Sequence, residues 1–261
     1  MNSIDEGRVT GCTMAQRVAL ITGAGKRIGA ATATRLLDDG WFVLMHVRSS
    51  ESEANQQLLE YEQKHGSKPS ASILKADLNS DAELQAFISQ VQLHPAVVGG
   101  GGLHGLVHNA SIYSSKDFES VSLEDVRLNN RIHIEVPLLL TQALVPQLQA
   151  ALGSVVGMVD TSLGKSWEGL SHYTASKAGL RQLMLNLAGE LAPDVRVNCV
   201  APGAIMAADW EAEHFESLMP KIPLGRAGEA IDVANAVHFL LTSPYITGQT
   251  ISVDGGWSLT S

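Results

Sequence analysis

From residue 17 onward, short apolar runs alternate with longer amphipathic stretches. Val18–Ile21, Trp41–Val47, Ala71–Lys75, Leu103–His108, Ser154–Val159 and Val195–Val200 are compact apolar runs between glycine or polar residues. Such runs predict buried strands. Helical spacing occupies Ile28–Leu37, Ser52–His65, Asp81–Gln92, Leu123–Leu152 and Thr174–Leu191. In the last of these, Leu180, Leu183, Met184, Leu187, Ala188 and Leu191 recur at i, i+3, i+4, i+7, i+8 and i+11. That is one continuous face, read as core or subunit contact. The alternation predicts an α/β protein: one doubly wound parallel sheet of about seven strands with helices on both faces. Gly99–Gly102 follows a helix and precedes a strand, so it reads as a flexible connector rather than a phosphate cradle. No repeat or linker interrupts the chain, and a single domain over 17–261 is expected. Residues 1–16 lack periodicity and any long apolar core, so they read as a flexible tail, with Met14 as an alternative start.

Composition narrows the function classes. With 45% hydrophobic and 17% charged residues among 261, the chain has enough apolar content to fold. No stretch approaches the roughly 18 apolar residues that a bilayer requires. The 27 acidic and 18 basic residues give a net charge of −9, which argues against nucleic acid or an anionic membrane as partner. An anionic small ligand would need a local basic pocket. Cys12 and Cys199 form neither a disulfide framework nor a zinc spacing, and the 9 histidines form no paired metal motif. The expectation is a cytoplasmic protein without a metal.

The first predicted strand runs into Thr22-Gly23-Ala24-Gly25-Lys26-Arg27-Ile28-Gly29 and then a helix. Glycines there let backbone N–H groups approach a pyrophosphate at a helix N-terminus, as in Rossmann-type sheets. Arg27 occupies the place of a third close-packed glycine. Either its guanidinium binds phosphate or it is a surface cation; its charge opposes the helix dipole, which favours a function. NAD binders carry an acid at the end of the second strand to hold the ribose 2′-hydroxyl. Here that strand ends His46-Val47-Arg48-Ser49-Ser50, with no acid between Asp39 and Glu51. Arg48 and Ser49 suit a 2′-phosphate, so NADPH is favoured over NADH, with a solvated Arg48 as the competing reading.

Tyr173 and Lys177 lie four apart at a predicted helix start, on one face. An ammonium beside a phenol favours the phenolate and makes Tyr173 a candidate proton donor. Together, Gly23-x-x-x-Arg27-x-Gly29, Asp77-Leu78, Asn109-Ala110-Ser111, Tyr173-x-x-x-Lys177 and Pro202-Gly203 resemble the short-chain dehydrogenase/reductase family over residues 17 to 258. Arg27, Arg48-Ser49, His108-Asn109-Ala110-Ser111 and Asp160 resemble its pteridine, dihydromonapterin and dihydrofolate reductases. Most family members carry a serine near position 160, thirteen residues before the tyrosine, where the pteridine reductases carry aspartate.

The resemblance implies NADPH-dependent reduction of a dihydropterin, with Asp160, Tyr173 and Lys177 catalytic. It implies that Gly23, Arg27, Ile28 and Gly29 hold the pyrophosphate and Arg48 with Ser49 the 2′-phosphate. Asp77 and Leu78 would meet adenine, and Asn109, Ala110 and Ser111, with Tyr173 and Lys177, the rest of the cofactor. Pro202, Gly203 and Ile205 would face the nicotinamide carboxamide. Ser111, Tyr113, Asp160, Tyr173 and Trp210 would meet the substrate, Tyr113 by ring stacking. Two departures stand out. The family's usual fourth-helix asparagine is replaced by His133, unless Asn129 or Asn130 serves instead. Thr161 and Ser162 adjoin Asp160, which leaves a serine-type mechanism open. The alternatives are a short-chain carbonyl reductase on a ketoacyl, sugar or steroid substrate, and a non-catalytic NADP sensor or scaffold. In relatives the long helices pair into tetramers, so a homotetramer is expected, with a dimer second.

Overall fold

The computed structural model describes residues 16–206 and 212–260. The expected tail, apart from Gln16, and Trp210 lie outside the described residues. Seven strands form one sheet: β1 Val18–Ile21, β2 Phe42–Val47, β3 Ala71–Lys75, β4 Gly105–His108, β5 Ser154–Met158, β6 Arg196–Pro202 and β7 Thr250–Val253. Their order is β3-β2-β1-β4-β5-β6-β7 and every pairing is parallel. All of β1, β4 and β5 is buried, which is why these strands read as unbroken apolar runs.

Successive side chains leave opposite faces of the sheet and build two cores. Leu20, Leu44, Leu106, Val155 and Val197 pack with α3 (Asp81–Leu93), α6 (Val136–Ala150) and α7 (Ser171–Glu190). Ile21, Val43, Met45, Val107 and Val156 pack with α1 (Arg27–Asp38), α2 (Glu51–His65) and α9 (Ala230–Thr242). The stripe on α7 is core: Leu180, Met184, Leu187 and Ala188 are buried in the chain's own interior. The glycine connector follows a short helix, α4 (Pro95–Gly99), and leads to β4 without opening a helix.

One expected element is corrected. The run Leu123–Leu152 is not one helix but α5 (Leu123–Asn130), a π turn over Arg131–Glu135, and α6. Pro137 has no N–H to donate to the carbonyl of His133, so the i→i−4 ladder cannot run through that turn. The wider turn carries His133 into the interior. A short helix α8 (Ala212–Leu218) follows β6. Among the described residues no helix is long and apolar enough to cross a membrane.

Candidate active site

Strand order reverses between β1 and β4, and the carboxyl ends of β1, β4, β5 and β6 open on one edge. A crevice at such a switch point is where open α/β sheets take ligands. Here it is a cavity of about 470 Å³, lined on one side by Gly23, Arg27, Ile28 and Gly29 and on the other by Tyr113, Asp160, Tyr173 and Lys177.

The glycine turn is shaped by contacts that leave no room for side chains. Gly23 has φ +67, which favours glycine, and a Cβ at Gly29 would collide with the Gly23 carbonyl oxygen and with Asn109. Thr22 Oγ1 accepts from the backbone N–H groups of Asn109 and Ala110, each at 3.0 Å. The Asn109 amide donates to the carbonyls of Thr22 and Gly23, both at 2.9 Å. Buried His46 accepts from Gly23 N at 3.1 Å and holds Ala76 O with its other nitrogen. Burial pushes its pKa down to about 4, so it is a neutral strut. Arg27 takes φ +54, the left-handed geometry expected of the missing glycine. Its Nη2 donates to Met206 O across the cavity mouth at 2.5 Å. Among the described residues, α1 has no acid in its first turn and no side-chain cap. Its N–H groups therefore suit an anion, and the tight glycine cradle fits a dinucleotide pyrophosphate.

Helix α7 begins three residues before the expected Thr174, which puts Tyr173 and Lys177 in its first two turns. Tyr173 donates its hydroxyl to Asp160 Oδ2 at 2.8 Å, and Asp160 Oδ1 accepts from Ser162 N at 2.7 Å. Lys177, 2% exposed, donates to Met158 O at 2.7 Å and lies 5.8 Å from the Tyr173 ring centre. Burial lowers its pKa to about 8, against the opposing pull of Asp160 and Cys199. Tyr113, a residue 37% exposed, stands edge-on to Tyr173 with ring centres 5.0 Å apart. Asp160 thus occupies the place beside the phenol, while Thr161 is turned away and donates to Asp254 Oδ2 at 2.8 Å.

His133, not Asn129 or Asn130, is the residue brought to this centre. It has no exposed surface, and it lies 2.8 Å from both Ser111 Oγ and Ser176 Oγ. Its ring meets Tyr173 edge-on at 5.6 Å. Burial, and then the Lys177 charge, hold its pKa at about 2. The Asn129 amide instead donates to Asp125 O within α5 at 2.9 Å. Ser111, Pro202, Gly203 and Ile205 line the cavity. Arg48, Ser49, Asp77 and Leu78 do not; they follow β2 and β3 at the same sheet edge, Arg48 and Ser49 exposed.

Both aromatic walls of the cavity near Lys165 escaped sequence reasoning. Trp167 and Trp257 face the cavity with ring centres 5.4 Å apart. Lys165 fixes the second one: its ammonium donates to the carbonyls of Trp257 and Thr260 and sits 4.5 Å from the Trp257 ring centre. No periodicity joins positions so far apart in the chain, and a tryptophan after Gly255-Gly256 was the one available clue. Among the described residues no group of three or more His, Cys, Asp or Glu is placed to hold a metal.

The family model described as enoyl-(acyl carrier protein) reductase, a short-chain dehydrogenase/reductase model, matches residues 23–258. The chain belongs to the short-chain dehydrogenase/reductase family. It is therefore an oxidoreductase by family. It is 32% identical over 248 residues to dihydromonapterin reductase of Klebsiella pneumoniae, covering 92% of this chain and 96% of that one. Human dehydrogenase/reductase SDR family member 4 is 33% identical, over 93% and 88% of the two chains. Among solved short-chain reductases, FolM alternative dihydrofolate reductase 1 from Brucella canis, complexed with NADP, superposes with a TM-score of 0.84. It is 28% identical, over 95% of this chain and 96% of its own.

Proposed function

We propose that this chain is an NADPH-dependent pteridine reductase that takes dihydropterins, of the dihydrobiopterin, dihydromonapterin or dihydrofolate kind, to their tetrahydro forms. The reading assigns one cofactor-binding domain over 17–261, acting in the cytoplasm. The names of the Klebsiella and Brucella relatives support the substrate class, and NADP in the Brucella structure supports the cofactor.

The observation that carries the reading is the bond from the Tyr173 hydroxyl to Asp160 Oδ2 at 2.8 Å. Reducing a ring C=N bond requires a hydride at carbon and a proton at the adjacent nitrogen. NADPH, when bound, supplies the hydride. The proton belongs to the phenol–carboxylate pair: Tyr173 carries it at Oη, Asp160 orients the hydroxyl through Oδ2, and solvent returns the proton after each turnover. Lys177 favours the phenolate left behind and reaches for the nicotinamide ribose. Gly23, Arg27, Ile28 and Gly29 seat the pyrophosphate, Arg48 and Ser49 the 2′-phosphate, and Asp77 with Leu78 the adenine. Asn109 and Ala110 line the cofactor ribose, and Pro202, Gly203 and Ile205 meet the carboxamide. Tyr113 and Ser111 face the pterin, and the resemblance adds Trp210 to them.

The competing reading is a carbonyl reductase; human dehydrogenase/reductase SDR family member 4, whose name gives no pterin, is as similar to this chain as the dihydromonapterin reductase is. Asp160→Ser separates the two in an assay of NADPH oxidation. A pterin reductase loses most of its dihydropterin turnover, whereas a carbonyl reductase keeps or gains ketone turnover. Ketone turnover without any pterin turnover in the native protein overturns the reading.

We also propose a homotetramer. Leu123 on α5, 63% exposed, and Val126 on the same helix, with Leu138 on α6, are large apolar side chains left exposed to solvent. Burying such a surface between symmetric copies removes it from water. A light-scattering mass of a single chain at micromolar concentration overturns this assembly.

A further inference from the structure

We propose that His133 is a positioning residue that sets the hydrogen-bond polarity of Ser111, so that this hydroxyl meets the substrate as an acceptor and selects an N–H edge over a carbonyl edge. The inference rests on the reading of the cleft as a seat for a flat nitrogen heterocycle.

Ser176 has one hydroxyl proton, and it is donated to Tyr173 O at 2.7 Å. Its oxygen, 2.8 Å from His133 Nδ1, must therefore accept, which puts the imidazole proton on Nδ1. The other side of the ring agrees independently. The backbone N–H of Ile112 can only donate, and it points at His133 Nε2 at 3.4 Å. Nε2 is thus the bare nitrogen. Ser111 Oγ, 2.8 Å from it, spends its single proton there. Only lone pairs of Ser111 remain for the cavity that this residue lines.

The imidazole cannot reverse this by charging, because it is fully buried and held neutral near Lys177. The asparagine usual in the family offers both a donor and an acceptor and would leave Ser111 free to turn either way. With histidine the choice is made before substrate arrives. A site built to accept from N–H discriminates strongly against a ligand that brings a carbonyl, since two facing acceptors stay unpaired.

Two measurements test this. The first is nitrogen NMR of histidine-labelled protein, with the His133 signals assigned by their loss in His133→Asn. The expected tautomer is Nδ1–H, unchanged across neutral pH; an Nε2–H signal overturns the proposal. The second compares binding of a 2-amino-4-oxo dihydropteridine with its 2,4-dioxo analogue in the presence of NADPH. The native protein should prefer the amino compound by about tenfold. His133→Asn should bring that ratio near one while NADPH affinity stays constant. Ser111→Ala, which carries little folding burden, should likewise bring the ratio near one. A preference that survives either substitution overturns the proposal. If neither heterocycle binds although the Nδ1–H tautomer is found, the pterin reading fails and the acceptor polarity of Ser111 stands.

Discussion

The two ends of the cleft are prepared to different degrees. At the chemical end the reacting polar groups already have partners: Tyr173 on Asp160, Asp160 on Ser162, Lys177 on Met158, His133 between two serines. At the far end Arg48 and Ser49 stand exposed after β2. Groups that must hold a proton in one place gain from a rigid, dry setting, because reorganisation is then completed on folding. Groups that must catch a mobile phosphate gain from reach and open solvent, and a cation steers the anion in. The comparison separates rate from affinity, and substitutions at the two ends should divide along that line.

The largest effect belongs to the chemical end. Tyr173→Phe removes the proton carrier and should lower kcat by about 10²- to 10⁴-fold, the usual worth of a general acid. NADPH affinity, measured by fluorescence titration, should stay within a factor of a few. A variant that keeps native turnover means that Tyr173 is not the proton carrier, and a native protein without turnover on any pterin or ketone restores the non-catalytic sensor reading. Next comes Arg48→Ala. Loss of a charge-assisted phosphate contact should weaken NADPH binding by about 10- to 100-fold and leave NADH binding unchanged. If both cofactors weaken alike, Arg48 does not read the 2′-phosphate, and the distinction between the two ends loses its footing.

A third test uses pH and separates chemistry from folding. The Lys177 ammonium, with its pKa lowered by burial from 10.5 to about 8, loses its charge above that value. Stabilisation of the Tyr173 phenolate goes with it, so kcat should fall by about tenfold per pH unit well above 8. The stability effect has the opposite sign. Between about 8 and 10.5 the unfolded chain binds the proton that the folded chain has released, so this lysine's contribution to stability rises with pH. Turnover and Tm read at the same pH values should therefore part company. A parallel fall of both would mean that the protein is unfolding.

Much of this was legible in the chain and some was not, for physical reasons. Strands covered on both faces impose apolar runs, and β1 and the strand start at Ser154 fall where those runs lie, as does β3, half-buried at the sheet edge. The Tyr173/Lys177 spacing is local, four residues on one helix face, so the pair was readable too. The break in Leu123–Leu152 hung on one backbone donor missing at Pro137, which a hydrophobic pattern does not register. The roles of His133 and of Trp257 depend on contacts across long stretches of chain: Ser111 with His133, Lys165 with Trp257. Pattern shows which residues face inward; it does not show which inward residues meet.

The smallest effect is expected where neither end of the cleft is involved. At the opposite edge of the sheet, Asp39 at the C-terminus of α1 accepts from His238 at 2.8 Å, from the Trp41 indole at 3.0 Å and from Arg17 at 2.8 Å. The His238 hydrogen bond first, and then Trp41 and Arg17, outweigh partial burial and hold its pKa at about 2. A carboxylate so depressed contributes its stability above the ordinary value of 3.8, and that contribution drains away as pH falls towards 2. Asp39→Asn keeps the shape and removes the charge. Because the carboxylate side chain is 35% exposed and its Arg17 partner is solvated, the loss should be small, about 2 °C in Tm at neutral pH. The native protein and the variant should converge in Tm as the pH falls below about 3. Turnover and cofactor affinity should not move. A change in either would mean that the α1–α9 contact reaches the glycine turn through α1, and that the cleft is less self-contained than its hydrogen bonds imply.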